Sequence, residues 1–340
     1  MGRGVFIVDA TNGNLLFRFG ADGAANLRVP DMQYAIPADV VILNRDGDNT
    51  RALPGVESIQ PRLRGFVDRI YAADTGGQVW RLDVDPAVTS LWRATKLAAI
   101  SGTALSDKRK FLFPPDVVAS SDANGNFDAV LIGSGDREHP FDATVTNRYY
   151  MFKDRKFTDI DPANVSPIAP ITEADLFDST NDCLQDVSLC PPGSAQLLAA
   201  QSNLLSSKGW MLTLGSGEKT VGSSITVAGT TFFGTNQPSA TAGGANCGSN
   251  LGIARVYEIN FQDATAIVAL TATSNLSAAD RSAQIAGGGY PPSPDLYIPT
   301  ICNGATCTER QTVGFGPKFV DPGSLKFEAR IRTYWFRKVE

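Results

Sequence analysis

The sequence contains one histidine, His139, among 340 residues. A Ser-His-Asp triad or a histidine-rich zinc site would have to be built around that single imidazole ring. His139 follows Asp136, Arg137 and Glu138, and a loop held by those three charges accounts for it without any catalytic role. The scarcity of histidine therefore predicts a protein that is not an enzyme.

The sequence also lacks long apolar runs and an excess of positive charge. No segment approaches the roughly eighteen consecutive apolar residues that a membrane-spanning helix needs. The 30 basic residues are outnumbered by 35 acidic ones, which gives a net charge of -5. A chain of this charge offers a nucleic acid no electrostatic attraction. We therefore expect neither a transmembrane segment nor nucleic-acid binding.

The first residues do not have the features of a secretion signal. Residues 1–4 lead directly into a strand-like segment, where a signal peptide would have a charged region and an apolar core. Two interpretations follow from the residues alone. Either the protein is cytosolic, or the chain is part of a longer exported polypeptide.

The five cysteines favour the exported interpretation. The spacings of Cys183 with Cys190 and of Cys302 with Cys307 suit two small disulfide loops, and neither gives the Cys-x-x-Cys pair of a zinc site. Buried reduced thiols are the alternative. Cys247 is left over, as a lone thiol or as one whose partner lies upstream.

Short hairpins dominate the chain. Residues 5–9 and 15–19 flank Asn12-Gly13, and residues 69–74 and 79–83 flank Gly76-Gly77. Strand-like segments around tight turns of this kind predict antiparallel pairs. Their repetition at irregular spacing predicts an all-β chain, with a β-propeller of variable loops favoured and a β-sandwich as the alternative.

One region departs from this pattern. Residues 161–208 are rich in Pro, Asp and Ser, and their last part predicts an amphipathic helix capped by Ser194. We expect a mostly irregular, partly helical insertion that packs on the sheet, so that residues 1–340 form a single domain.

Two turn-like segments carry oxygen ligands for a cation. Asn44, Asp46 and Asp48 match positions one, three and five of a calcium loop. Asn49 stands where an EF-hand has glycine, and no suitable Glu follows, so a solvated turn remains an alternative. Residues 122–128 match the calcium-loop pattern less well, and their Asn-Gly pair predicts a hairpin turn. Residues 215–220 end like a phosphate loop but lack its adjacent Gly-Lys, and they also predict a hairpin turn.

A set of segments, in this order along the chain, resembles the C-terminal β-propeller domain of the PilY/PilC-type proteins associated with the tips of type IV pili. No single segment is diagnostic, but the ordered set covers nearly the whole chain. The matching segments are residues 2–9, 36–40, 68–83, 133–138, 147–150, 208–210 and 217–218.

The resemblance implies a calcium site. In the family, an Asp/Asn-rich loop precedes the strand that begins here at Asp68, and the aspartate at that position is the ninth-position ligand. Carried over, the ligands would be Asn44, Asp46, Asp48 and Asp68. This sequence departs from the family pattern at Asn49 and by an insertion between Asp48 and Asp68, which can loop out at small entropic cost while its ends stay together.

The resemblance also implies a function. It predicts a non-enzymatic pilus biogenesis module and tip adhesin in which calcium modulates pilus extension, retraction, twitching motility and surface attachment. Its partners would be pilin or minor pilins and a host-surface receptor. Its location would run from the periplasm and outer membrane to the cell surface. The match begins inside the family's propeller, so we expect a truncated propeller from a longer exported chain.

A quinone-dependent dehydrogenase is the alternative function. Hairpins such as residues 8–13 also resemble the blades of pyrroloquinoline quinone enzymes. The single histidine and the lack of an adjacent cysteine pair argue against this alternative.

Overall fold

The computed structural model describes residues 2–44, 67–85, 88–155, 169–185, 190–239, 251–268 and 276–297, followed by four short strands between residues 300 and 320. Within these residues the chain forms 22 β-strands and one α-helix. The all-β prediction is confirmed. No helix among the described residues is long and apolar enough to cross a membrane.

The first sheet contains the hairpin predicted around Asn12-Gly13. Gly13 adopts a φ of 76°, which the turn requires and which glycine tolerates. The Asp9 carboxylate accepts a hydrogen bond from the Thr11 amide at 2.8 Å and so fixes the start of the turn. The strands, in spatial order, are β1 (Gly4–Val8), β2 (Leu15–Gly20) and β3 (Leu27–Arg28).

The second sheet is a four-stranded antiparallel meander whose spatial order is its chain order. Its central hairpin turns at Gly77, with a φ of 70°. The Asp74 carboxylate accepts hydrogen bonds from the Gly76 and Gln78 amides and from the Trp80 indole, at 2.9 to 3.1 Å. The strands are β4 (Val41–Leu43), β5 (Arg69–Ala73), β6 (Gln78–Asp83) and β7 (Arg93–Ala99).

The third sheet has the order β11-β12-β10-β9-β8. Its first hairpin closes where Asp122 pairs with Gly125, and Gly125 has a φ of 103°. The hairpin turn predicted within residues 122–128 is therefore confirmed. The strands are β8 (Asp116–Asp122), β9 (Gly125–Gly133), β10 (Arg148–Asp154), β11 (Phe177–Asp178) and β12 (Gly209–Thr213).

The described part of the insertion is tied to two sheets. The Ile171 amide donates to the Leu97 carbonyl of β7 at 2.8 Å, and β11 pairs in parallel with β12. The single helix, α1 (Ala195–Ser206), begins where the Ser194 hydroxyl accepts from the Leu197 amide at 3.2 Å. None of its residues is fully buried, and Leu204 packs against the cluster between the third and fourth sheets, so the helix lies on the surface of the fold. The single-domain assignment stays a prediction.

The fourth sheet follows a connection that we predicted to be a hairpin turn. Residues 214–218 link β12 to β13, and these strands lie in different sheets, so the hairpin predicted at residues 215–220 is wrong. The fourth sheet contains β13 (Lys219–Thr220), β14 (Ile225–Val227), β15 (Thr230–Gln237), β16 (Ile253–Asn260) and β17 (Ser282–Ile285).

The last described strands form a small fifth sheet and a separate hairpin. The fifth sheet contains β18 (Asp295–Tyr297), β21 (Thr312–Phe315) and β22 (Lys318–Val320). The hairpin pairs β19 (Thr300–Asn303) with β20 (Thr306–Glu309).

The five sheets pack face to face in chain order. Trp80 and Phe19 lie in the cluster between the first and second sheets, and Val79 and Phe152 lie between the second and third. Trp210 and Phe233 join the third to the fourth, and Val256 and Phe315 join the fourth to the fifth. Successive sheets that bury both faces are what propeller blades require. Closure into a ring is not established by these contacts, so the propeller itself stays a prediction.

Candidate functional site

The two ends of the predicted calcium loop lie side by side at one end of the second sheet. Leu43 pairs with Arg69, and the Asp68 amide donates to the Leu43 carbonyl at 3.0 Å. Asn44 and Asp68 therefore flank what we call the loop mouth, the point where β4 ends and β5 begins. Asp46 and Asp48 lie outside the described residues, so the four-ligand calcium site stays a prediction.

A further carboxylate lies at the same end of the sheet. The Val84 amide donates to the Asp68 carbonyl at 2.9 Å, which places Asp85 just beyond the loop mouth. Asp85 is buried, and its carboxylate accepts from the Val88 amide at 2.9 Å. The sequence signal for it is the spacing of Asp83 and Asp85, two positions apart where β6 ends.

Directly behind the loop mouth, five charged side chains and one tyrosine are buried between the second and third sheets. We call this group the ionic network. Arg69 contacts Asp128 at 2.7 Å and Asp83 at 3.4 Å. Arg81 contacts Asp154 at 2.8 Å and Asp83 at 3.1 Å. Each guanidinium thus reaches a carboxylate on its own sheet and one on the neighbouring sheet.

Tyr71 joins the two inter-sheet ion pairs. Its hydroxyl lies 2.7 Å from Asp154 and 3.0 Å from Asp128. A phenol has one proton to donate, so it serves one of these carboxylates at a time. Burial, together with the negative charge of Asp154, raises the pKa of Tyr71 well above its ordinary value, which keeps the phenol protonated.

The network and the apolar core share one interface. Arg69, Tyr71 and Ala73 follow one another at every second position of β5, on the face that meets the third sheet. Phe152 and Asp154 are likewise two positions apart on β10. Side chains two positions apart on a strand point to the same face. The interface is therefore apolar over most of its length and ionic at the end nearest the loop mouth.

Several segments that carry the family resemblance meet at the junction of the third and fourth sheets. Asn147 accepts from the Ser134 hydroxyl at 3.2 Å and donates to the Glu218 carbonyl at 3.0 Å. The buried Glu218 carboxylate accepts from the Gly215 amide at 2.8 Å and from the Tyr257 hydroxyl at 3.1 Å. These hydrogen bonds link residues beside the third sheet to residues of the fourth sheet and its preceding connection, so they hold the two sheets together.

His139 lies in an exposed loop near this junction. Its Nδ1 lies 2.9 Å from the Asp136 carboxylate, and Lys110 contacts the same carboxylate at 2.6 Å. Asp136, Glu138 and His139 are close enough together to hold a metal ion. Asp136 therefore holds the loop through His139 and through Lys110 from outside the loop, and of the three charges that the sequence assigned to this role it is the one with ion pairs among the described residues.

The cysteines divide into three cases. Cys183 and Cys190 form a disulfide in the structure, with Cα atoms 5.2 Å apart. Cys302 and Cys307 lie directly opposite each other in the register of β19 and β20, and their bond stays a prediction that mass mapping of non-reduced peptides would detect. Cys247 lies outside the described residues.

No protein-family model matches the sequence, and no curated protein matches it. The crystal structure of the Pseudomonas aeruginosa PilY1 C-terminal domain does match this structure, with a TM-score of 0.57 and 13% sequence identity. The match covers 93% of this chain and 67% of that chain. The chain thus has the fold of that domain, and at the level of fold the resemblance drawn from the sequence is confirmed.

Proposed function

We propose that this chain is a non-enzymatic, calcium-modulated module of the type IV pilus tip, acting in pilus biogenesis and surface attachment. The supporting observation is the fold that it shares with the PilY1 C-terminal domain over 93% of its length. Its partners would be pilin or minor pilins and a receptor on the host surface. The parent polypeptide would be exported, in agreement with the Cys183–Cys190 disulfide.

The calcium part of the proposal rests on the loop mouth. Calcium binds six to eight oxygen ligands, supplied by carboxylates, amide carbonyls and water. The backbone bond between Leu43 and Asp68 holds Asn44 and Asp68 at the same end of the sheet, although the loop between them is long. An ion bound by Asn44, Asp46, Asp48 and Asp68 would relieve the repulsion among three carboxylates. It would also hold both ends of the loop against the ionic network.

Calcium should therefore stabilise the folded chain. A ligand that binds only the folded state adds about 2.7 kcal/mol at a hundredfold excess over its dissociation constant. We expect the melting temperature to rise with calcium and to rise less with magnesium, which prefers a tighter octahedral site. Asp48→Ala should abolish the calcium-dependent shift, as measured by differential scanning calorimetry.

Two variants control for the loss of a carboxylate. Asp295→Ala removes an exposed acid in β18, and Asp122→Ala removes one from the weaker look-alike turn. Asp122 pairs with Arg155, so its variant will start from a lower melting temperature, but both controls should keep the full calcium-dependent shift. No shift in the wild type at millimolar calcium, or its loss in Asp122→Ala instead of Asp48→Ala, would refute the calcium site.

The pilus role is tested in the source cell. Deleting the gene for the parent protein should reduce surface pili and twitching motility, and the wild-type gene should restore both. A gene carrying Asp48→Ala should restore surface pili but leave motility insensitive to calcium. Normal piliation in the deletion strain would contradict the pilus role, whereas full calcium sensitivity in the Asp48→Ala strain would contradict only the calcium role.

The non-enzymatic part has its own test. The chain would be incubated with pyrroloquinoline quinone and calcium, and dye reduction would be measured across simple alcohols. We expect no turnover, and any turnover that depends on the quinone would reverse this part of the proposal.

A further inference from the structure

A cavity of about 430 Å³ lies where the second and third sheets meet the end of α1. It is separate from the loop mouth, although Arg81 and Asp154 of the ionic network form part of its wall. Small-molecule sites in proteins typically have volumes of roughly 300–1,000 Å³. The cavity is therefore large enough for a small organic ligand.

Among the residues that the structure describes, the charged part of the wall is mainly basic. These residues include one carboxylate, Asp154, and four cationic side chains, which are Arg81, Lys153, Arg155 and Lys208. Most of the carboxylates that pair with these cations approach from outside the cavity. Asp122 contacts Lys153 and Arg155, and Asp175 contacts Lys208 at 2.9 Å. The described wall therefore presents cationic groups to the cavity, while their partner carboxylates, apart from Asp154, lie behind it.

The cations are held in position by further contacts. Lys153 Nζ donates to the Leu204 carbonyl of α1 at 2.9 Å, and an Arg155 guanidinium nitrogen donates to the Gly125 carbonyl at 2.9 Å. The Arg155 guanidinium also stacks over the Phe127 ring, 4.7 Å from its centroid. Charges fixed in this way lose little conformational entropy when a ligand binds.

The rest of the cavity suits a hydrocarbon. Leu97 of β7, Ile171 of the insertion and Leu205 of α1 contribute apolar side chains to its lining. Burial lowers the pKa of the Lys153 ammonium, and the Asp122 carboxylate only partly offsets this effect. A second anion beside Lys153 would further favour its charged form.

We propose that this cavity binds a small organic monoanion, a carboxylate with an apolar body. The carboxylate lies among Lys153, Arg155 and Lys208, and the apolar body lies against Leu97 and Ile171. A monoanion fits better than a dianionic phosphate, because the Asp154 carboxylate also faces the cavity and repels additional negative charge. The proposal is independent of the pilus role and of calcium.

Titration calorimetry on the full chain tests the ligand class with three probes. Octanoate carries the charge and the apolar body, octanamide carries the body without the charge, and acetate carries the charge without the body. We expect octanoate to bind at one site, and we expect the other two probes to bind at least roughly tenfold more weakly. No octanoate binding, or equal binding of octanamide, would overturn the proposal.

Variants test the location. Lys208 is half exposed, so Lys208→Gln should fold normally and weaken octanoate binding roughly tenfold through the loss of a charged hydrogen bond. Leu205→Trp keeps every charge and should prevent binding by filling the cavity, with circular dichroism used to check its fold. Lys108→Gln, at an exposed lysine outside this cavity, is the matched control and should bind like the wild type. Equal weakening in Lys108→Gln and Lys208→Gln would show nonspecific attraction and refute the site.

Discussion

Replacing Asp154 by alanine is expected to lower the free energy of unfolding by about 3–5 kcal/mol. Asp154 accepts hydrogen bonds from Arg81 at 2.8 Å and from Tyr71 at 2.7 Å, and all three side chains are buried. Without the carboxylate, the Arg81 guanidinium would stay buried with Asp83 as its remaining partner in the ionic network. Chemical denaturation followed by tryptophan fluorescence gives the measurement.

An exposed ion pair supplies the comparison. Lys96 contacts Asp31 at 2.7 Å, but the Asp31 side chain is 69% exposed. Water and salt screen such pairs, so Asp31→Ala should cost about 0–1 kcal/mol. If the two alanine variants lose similar stability, the network does not hold the second and third sheets together in the way its geometry indicates.

Gly209→Ala is expected to be as damaging, for a steric reason. Gly209 pairs with Phe152 at the start of β12 and has a φ of 143°, which residues with a side chain rarely adopt. A Cβ atom there would overlap the backbone carbonyl oxygen of Met151, which cannot move without breaking the third sheet. Backbone strain and overpacking together should cost roughly 3–5 kcal/mol.

Gly229→Ala separates these two causes. Gly229 also has a positive φ, of 89°, but a Cβ atom at that position would meet nothing within 4 Å. Its replacement should cost only the backbone term, roughly 1–2 kcal/mol. Equal losses in the two variants, measured by urea denaturation, would show that the contact with Met151 is unimportant.

Features that depend on neighbouring residues were predicted from the sequence. Gly13 and Gly77 supply the positive φ that a tight turn needs. A tight turn brings the strands on either side of it together as an antiparallel pair. The Ser194 cap and the Cys183–Cys190 disulfide are local in the same sense. Residues 215–220 show the limit of this reasoning, because turn chemistry identifies a bend but not which strands it connects.

The ionic network and the cavity could not be predicted in this way. Arg69 and Asp128 are 59 positions apart, and no local rule brings them together. The sequence did hold a weak indication, since Asp128 is a charged residue directly before the apolar run of β9. The placement of Asn44 beside Asp68 was implied by the family resemblance, and no hairpin pattern in the sequence pairs the strands that adjoin them.

The ionic network also determines which sheet can pack against the second sheet. The chain contains several sheets with two apolar faces, and apolar faces of similar size can replace one another during folding. Arg69 and Arg81 make one face of the second sheet an exception, because it needs the Asp128 and Asp154 that only the third sheet presents among the described residues. Stacking against any other described sheet would bury two guanidinium groups away from these carboxylates, at a cost of several kcal/mol. The pairing of the second sheet with the third is thus encoded by a few buried charges and not by the extent of the core.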